Sequence, residues 1–209
     1  MLARSACAQT SAEVSVVSEY AMRGVSLGDH PALQLRVDHD AAGGWYLGAF
    51  ASPATLYGRT QGQLIVYGGR ALPLALARGL SWDAGVTRTM FLRDDRHDYH
   101  EFYAGLALER ISARLSYAPA YYGAGRTLYL DLNGGIPLGE RVALALHAGV
   151  LHPFNTSYRD DHDRGDLRAT VAYDTAEWRL QAGWQALVHA SGYDVPRARA
   201  LVASASLRF

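Results

Sequence analysis

The chain has no lysine and a single cysteine, and its twenty arginines are balanced by twenty aspartates and glutamates. With a sequence pI of about 7.1, it lacks the basic footprint that nucleic acid requires, so nucleic acid is not an expected partner. Cys7 has no second thiol to pair with, which excludes a disulfide within the chain. No apolar run reaches the ~18–20 residues of a membrane helix. The longest, residues 71–77 and 142–151, are short or are interrupted by His147. A spanning helix is thereby excluded. Spanning strands are not, because ~9–11 residues with every second one apolar suffice. Helical periodicity is also missing, and residues 71–78, broken by Pro73, read as an irregular turn. With 209 residues, 49% of them apolar, 11% aromatic and 19% charged, the chain fits one folded domain rather than a disordered one.

What fills the chain is a period of two. The last nine residues alternate, with Leu201, Ala203, Ala205 and Leu207 on one face, and end on Phe209. A terminal strand with one apolar face and a closing Phe is the form that outer-membrane barrels present to their assembly machinery, and Leu207 and Phe209 are the candidate signal. Eleven further segments repeat the pattern. In the first, residues 14–22, Val14, Val16, Tyr20 and Met22 oppose Glu19 and Arg23. In the second, Leu33, Leu35 and Val37 alternate with Gln34, Arg36 and Asp38. Residues 45–50 and 63–68 are rich in aromatic and β-branched side chains, and Trp82, Ala84 and Val86 oppose Asp83, Gly85 and Thr87. The clearest hairpin runs from Phe102, Ala104, Leu106 and Leu108 through a Glu109-Arg110 turn to Ile111, Ala113, Leu115 and Tyr117. Four more strands follow, with Asp131, His147, Arg168 and Arg179 on their polar faces.

Soluble sandwiches and lipocalin-like barrels also show this alternation. Three features favour a closed antiparallel up-and-down transmembrane β-barrel of about twelve strands. The apolar faces are too extensive for the core of a small soluble barrel. The polar faces carry small residues (Gly48, Gly68, Gly85, Gly105, Gly149, Gly183) suited to a crowded concave lumen. The connections alternate in length, with 24–31, 52–62, 91–98, 119–126, 152–166 and 189–197 long and on one side, as in outer-membrane barrels. Residues 69–79 are one turn too long for this scheme. Aromatics at strand ends (Tyr20, Trp45, Tyr117, Tyr121, Tyr122, Trp178, Tyr193) read as interfacial girdles. At the amino terminus, Ala6-Cys7-Ala8 resembles the cleavage end of a secretory signal. Residues 1–8 are therefore expected to be a signal-peptide remnant with its apolar part cut short, and 9–209 a single barrel domain. A lipidated Cys7 is disfavoured by Arg4.

Ser18-Glu19-Tyr20-Ala21-Met22-Arg23-Gly24-Val25-Ser26, then Pro31-Ala32-Leu33-Gln34 and Gly44-Trp45-Tyr46-Leu47-Gly48, resemble the amino-terminal signature of the TorF family of porins. The likeness continues through Glu101–Gly105, Tyr129–Asn133 and Pro137-Leu138 to the closing strand, and Leu27 departs from it. The resemblance implies a proteobacterial outer-membrane barrel, with a signal peptide, that passes small solutes through the lipid bilayer.

A twelve-strand barrel has a backbone radius of roughly 12 Å, which leaves a narrow aqueous path inside. Candidate pore-lining residues carry both signs: Arg23, Arg36, Arg114, Arg168 and Arg179 against Asp38, Asp83, Glu101 and Asp131. They read as a stiffening web of ion pairs, or alternatively as a ladder of arginines for small anions. The acidic and histidine-rich loops 93–100 and 159–164 contain oxygen and imidazole ligands, but interleaved arginines and the wrong spacing argue for solvated loops without bound metal. His189-Ala190-Ser191 resembles the His-x-Ser of an outer-membrane phospholipase, yet parity turns both side chains inward and no third member accompanies them. No catalytic residue and no cofactor is expected.

Overall fold

The computed structural model describes residues 8–28, 30–154, 162–188 and 200–209. Fourteen strands follow one another: β1 (Gln9–Val17), β2 (Tyr20–Met22), β3 (Val25–Gly28), β4 (Ala32–Asp40), β5 (Trp45–Leu56), β6 (Arg59–Pro73), β7 (Leu80–Phe91), β8 (Tyr99–Leu108), β9 (Ile111–Ala118), β10 (Arg126–Pro137), β11 (Val142–Phe154), β12 (Arg164–Asp174), β13 (Trp178–Val188) and β14 (Leu201–Arg208). Twelve of them form one sheet in chain order, in which β1 pairs with β4 past the intervening β2–β3 and also with β14, so the sheet closes into an antiparallel barrel with no free edge. Both ends of the closure are in register, with Val14 opposite Leu207 and Val14 opposite Leu35.

The two faces of this sheet are sharply different. Leu33, Leu35, Val37, Phe102, Leu106, Leu115, Leu130 and Val171 are exposed on the convex side. Between them Ser15, Gln63, Glu101, Asp166, Thr170 and Gln185 are buried on the concave side. Parity enforces this segregation, since successive side chains of a strand point to opposite faces. Connections at the end where β1 starts and β14 finishes are 41–44, 74–79, 109–110, 138–141 and 175–177; the opposite end has 57–58, 92–98 and 119–125 among the described residues.

Four expectations are corrected by the structure. The first strand stops at Val17 rather than Met22, because the chain turns inward and forms a separate β2–β3 hairpin. Tyr20 and Met22 therefore face the interior, not lipid. The connection expected to be long at 52–62 is a two-residue turn, Tyr57-Gly58, with φ of +49° and +75° and Leu56 opposite Arg59; these angles match the type I′ turn that strand twist favours. The irregular turn expected at 71–78 shrinks, since β6 remains paired with β7 through Pro73. Of the expected girdle aromatics, Tyr20, Tyr121 and Tyr122 belong to interior clusters. Trp45, Tyr117 and Trp178 are exposed on the outer face as expected. Tyr193 and Cys7 lie outside the described residues.

Candidate pore and its constriction

The concave wall is built on one side from tyrosines and ion pairs. The Arg36 Nε donates to Asp38 Oδ2 at 2.8 Å, and the Tyr67 hydroxyl also donates to Asp38. Arg114 Nη2 donates to Asp83 Oδ2 at 2.6 Å, and Tyr46 donates to the same oxygen at 3.0 Å. Tyr46 and Tyr103 share a hydrogen bond of 2.8 Å along the inner wall, over β6 and β7. Guanidinium groups lie over ring faces, Arg114 at 4.5 Å from Tyr103 and Arg36 at 5.6 Å from Tyr67, an arrangement favoured by the ring quadrupole. Glycines make room for these rings. A Cβ at Gly48 would stand 2.5 Å from Tyr67 Cζ, and one at Gly69 2.7 Å from the Tyr46 hydroxyl. Gly69 thus takes the inward place expected of Gly68, which pairs with outward Leu47 and Val86.

The remaining predicted lining residues are also on this face. Asp131 lies opposite Arg114 in register and accepts from Asn133 Nδ2. Arg179 forms a two-pronged pair with Asp174 at 2.7 and 3.0 Å, and Arg208 bridges Asp174 at 3.2 Å and Glu13 at 3.4 Å. Arg168 lines a cavity of about 260 Å³ together with Gln34, Thr170, Gln181 and Gln185.

Arg23 and Glu101 are the exception to a plain wall. Arg23 sits at the tip of the β2–β3 hairpin with φ +51°, followed by Gly24 at +72°. From there Arg23 Nη2 reaches across the lumen to Glu101 Oε1 on β8 at 2.8 Å, with both side chains nearly buried. Its guanidinium is 4.1 Å from the Tyr129 ring and 5.1 Å from that of Tyr121. Gly24 presses against the β12–β13 wall, where an added Cβ would lie 2.9 Å from both Asp166 Cβ and Leu187 Cδ1. Tyr20 donates to Gln63 at 2.6 Å, and Leu27 is buried with Phe91, Tyr99 and Ala118. The hairpin is therefore a bar across the outer part of the lumen, held by the Arg23–Glu101 ion pair, the Tyr20–Gln63 hydrogen bond and an apolar cluster. A relay that sequence reasoning missed lies beside its tip. His147 Nε2 is 2.8 Å from Asp166 Oδ1, His147 Nδ1 is 2.9 Å from Asn133 Oδ1, and Tyr129 donates to Asp166 at 3.0 Å. The inward parity of His147 was its only signal in the sequence.

At the outer mouth, Tyr57, Arg59, Arg93, Arg96 and His97 line a cleft of about 760 Å³. The Arg96 guanidinium holds the Asp94 carboxyl below its ordinary range by two hydrogen bonds, the shorter 2.8 Å. Asp98 accepts from the Phe91 N–H at 2.8 Å and from Arg88 at 3.1 Å. Among the described residues, no three His, Cys, Asp or Glu side chains converge as metal ligands. Residues 159–161 of the second acidic loop, and His189-Ala190-Ser191, lie outside the described residues. Leu207 pairs with Val14, and the exposed Phe209 exchanges backbone hydrogen bonds with Ala12 at 2.9 and 3.3 Å.

Fold and interior together define a twelve-stranded barrel with a polar lumen crossed by an inserted hairpin. Residues 3–195 match the family model described as a bacterial protein of unknown function (Gcw_chp), and the chain belongs to that family. No curated protein is significantly similar in sequence. Among solved structures, the KdgM porin is similar at a TM-score of 0.60 and 11% identity, over 95% of this chain and 98% of that one. The NanC porin is similar at 0.60 and 12%, over 94% and 97%. A second KdgM structure, described as a complex with disordered oligogalacturonate, gives 0.56 and 12%, over 95% and 98%. At such identities the likeness is one of fold.

Proposed function

We propose that this protein is an outer-membrane channel through which small solutes or ions diffuse passively. The observation that carries the reading is the inversion of the barrel: the exposed convex face holds Leu33, Leu106, Leu130 and Val171, while charged and hydroxylated side chains are enclosed. Water would solvate that convex face poorly, whereas hydrocarbon matches it. The porin-like fold of the neighbours, one of them described with a bound oligogalacturonate, supports the same conclusion. So does the resemblance of residues 18–48 to the TorF porins. In this reading residues 1–8 are the end of a secretory signal. Phe209 and Leu207 address the barrel-assembly machinery, and Arg36, Asp38, Asp83, Arg114, Asp131, Arg168 and Arg179 line the path. Arg23 and Glu101 close the constriction. Passage involves no chemical step and no cofactor.

A second reading has its own support. The hairpin and its apolar cluster occupy the outer part of the lumen, as they would in a closed structural or adhesion barrel. Purified full-length protein in a planar bilayer separates the two. Discrete conductance steps support the channel, and a silent membrane at high protein load supports the closed barrel.

A further inference from the structure

The lumen has two unlike sides. Toward β5–β10 it is lined by tyrosines and ion pairs, among them Tyr46, Tyr67, Tyr103, Asp83 and Arg114. Toward β12, β13, β14, β1 and β4 it carries ion pairs as well, Arg179–Asp174 and Arg208–Glu13 among them, but also a group of neutral hydrogen-bonding side chains: Ser15, Gln34, Thr170, Gln181, Gln185 and Ser204. These six surround the cavity below the hairpin, whose volume of about 260 Å³ equals that of about nine waters at ~30 Å³ each. Three charged groups also border it. Glu13 accepts from Ser15 at 2.9 Å and from Arg208 at 3.4 Å, Glu19 accepts from Ser26 at 2.6 Å, and Arg168 is the third.

Gln185 is only 3% exposed, and its Nε2 has no hydrogen-bond partner. A buried amide donor left unmatched is costly, so such groups ordinarily meet a partner in the protein, a water or a ligand. Its neighbours are engaged only weakly: Ser204 donates to Gln181 at 3.3 Å, and Gln34 donates to Ser52 at 3.3 Å. Hydroxyl and amide side chains donate and accept, so they can exchange hydrogen bonds with a solute that carries both functions at every position. Fixed charges of one sign, which would attract ions, are not concentrated here.

We infer that this cavity is a binding subsite for an uncharged polyhydroxylated solute of monosaccharide size. The inference rests on the channel reading and names the solute class for it. Gln185 and Thr170 meet the solute hydroxyls, and Tyr20 of the hairpin borders the same space from above.

Glucose added to single channels in a planar bilayer is the test, with glucuronate as the charged counterpart. The expected result is saturable, glucose-dependent interruption of the current, weaker for glucuronate. In Gln185→Leu the residence of glucose falls about tenfold, the loss expected for one hydrogen bond. Ser204→Ala provides a milder second variant, and a heat-shifted gel band certifies that each barrel folds. Open channels with no glucose-dependent interruption, equal block by glucuronate, or identical residence in both variants would overturn the inference and leave the channel reading standing. Channels that never open would remove both.

Discussion

Tyrosine and glycine are matched residue by residue along the inner wall, and each match has a measurable consequence. At Gly85 a Cβ would stand 2.6 Å from Tyr103 Cζ, so Gly85→Val forces the ring out of its pocket. Overpacking of this kind costs about 1–3 kcal/mol, and urea titration of the purified barrel should show the lower midpoint. The Arg23–Glu101 pair is a sharper case, since both partners are buried. Removing one partner of such a pair costs about 3–5 kcal/mol because the other charge is stranded. Arg23→Ala should relieve that cost by undocking the hairpin, which single-channel recording would register as a larger or noisier open state. Unchanged conductance in Arg23→Ala would mean that the bar does not limit flow. Alternation alone had assigned Arg36, Asp38, Asp83, Arg114, Asp131, Arg168 and Arg179 to one face, because parity is a backbone property independent of packing. It could not pair them. Which arginine meets which carboxylate depends on register and on contacts that skip a strand, such as Arg114 of β9 with Asp83 of β7.

The hairpin is the element that the amino-acid order concealed. Val14, Val16, Tyr20 and Met22 keep an apolar phase through residue 22, and its single lapse, the polar Ser18 beside Val17, is a slight mark of the break. The break is set by tertiary partners instead: Tyr20 finds Gln63, and Leu27 finds Phe91 and Tyr99. Removing the element is straightforward to design, because Val17 already lies opposite Ala32. Replacing residues 18–31 with Asn-Gly supplies the two-residue turn such a pair accepts. The shortened chain is expected to form a heat-modifiable barrel and to conduct severalfold more than the full chain. A folded barrel with equal or lower conductance would contradict the hairpin's place as the constriction. Connections were misjudged for a related reason. Tyr57-Gly58 closes β5 and β6 directly, and the polar stretch around it had read as loop although its residues extend both strands.

For the molecule as a whole, closure and the sidedness of the wall carry the account. Both were legible from the sequence, because a strict period of two over so many segments allows few alternatives to a closed sheet with unlike faces. The filled outer lumen was not, since no local pattern distinguishes an inward hairpin from an outward loop. If the convex face meets hydrocarbon, Leu130, exposed in the middle of β10, should tolerate charge poorly. Leu130→Arg is expected to destabilise the barrel in lipid by about 2–4 kcal/mol, the midplane penalty for arginine, as read from reversible unfolding in vesicles.

Adjacent positions of β9 allow the most direct measurement. In a Cys7→Ser background, single cysteines are placed at Arg114, which faces Asp83 within the barrel, and at Leu115, exposed on the convex side. The folded protein is then reconstituted into vesicles. The account predicts that a charged, membrane-impermeant thiol reagent modifies position 114 and spares 115, while a fluorophore at 115 alone is quenched by brominated lipid. Modification of 115 with quenching at 114, or free aqueous access to both, would contradict it.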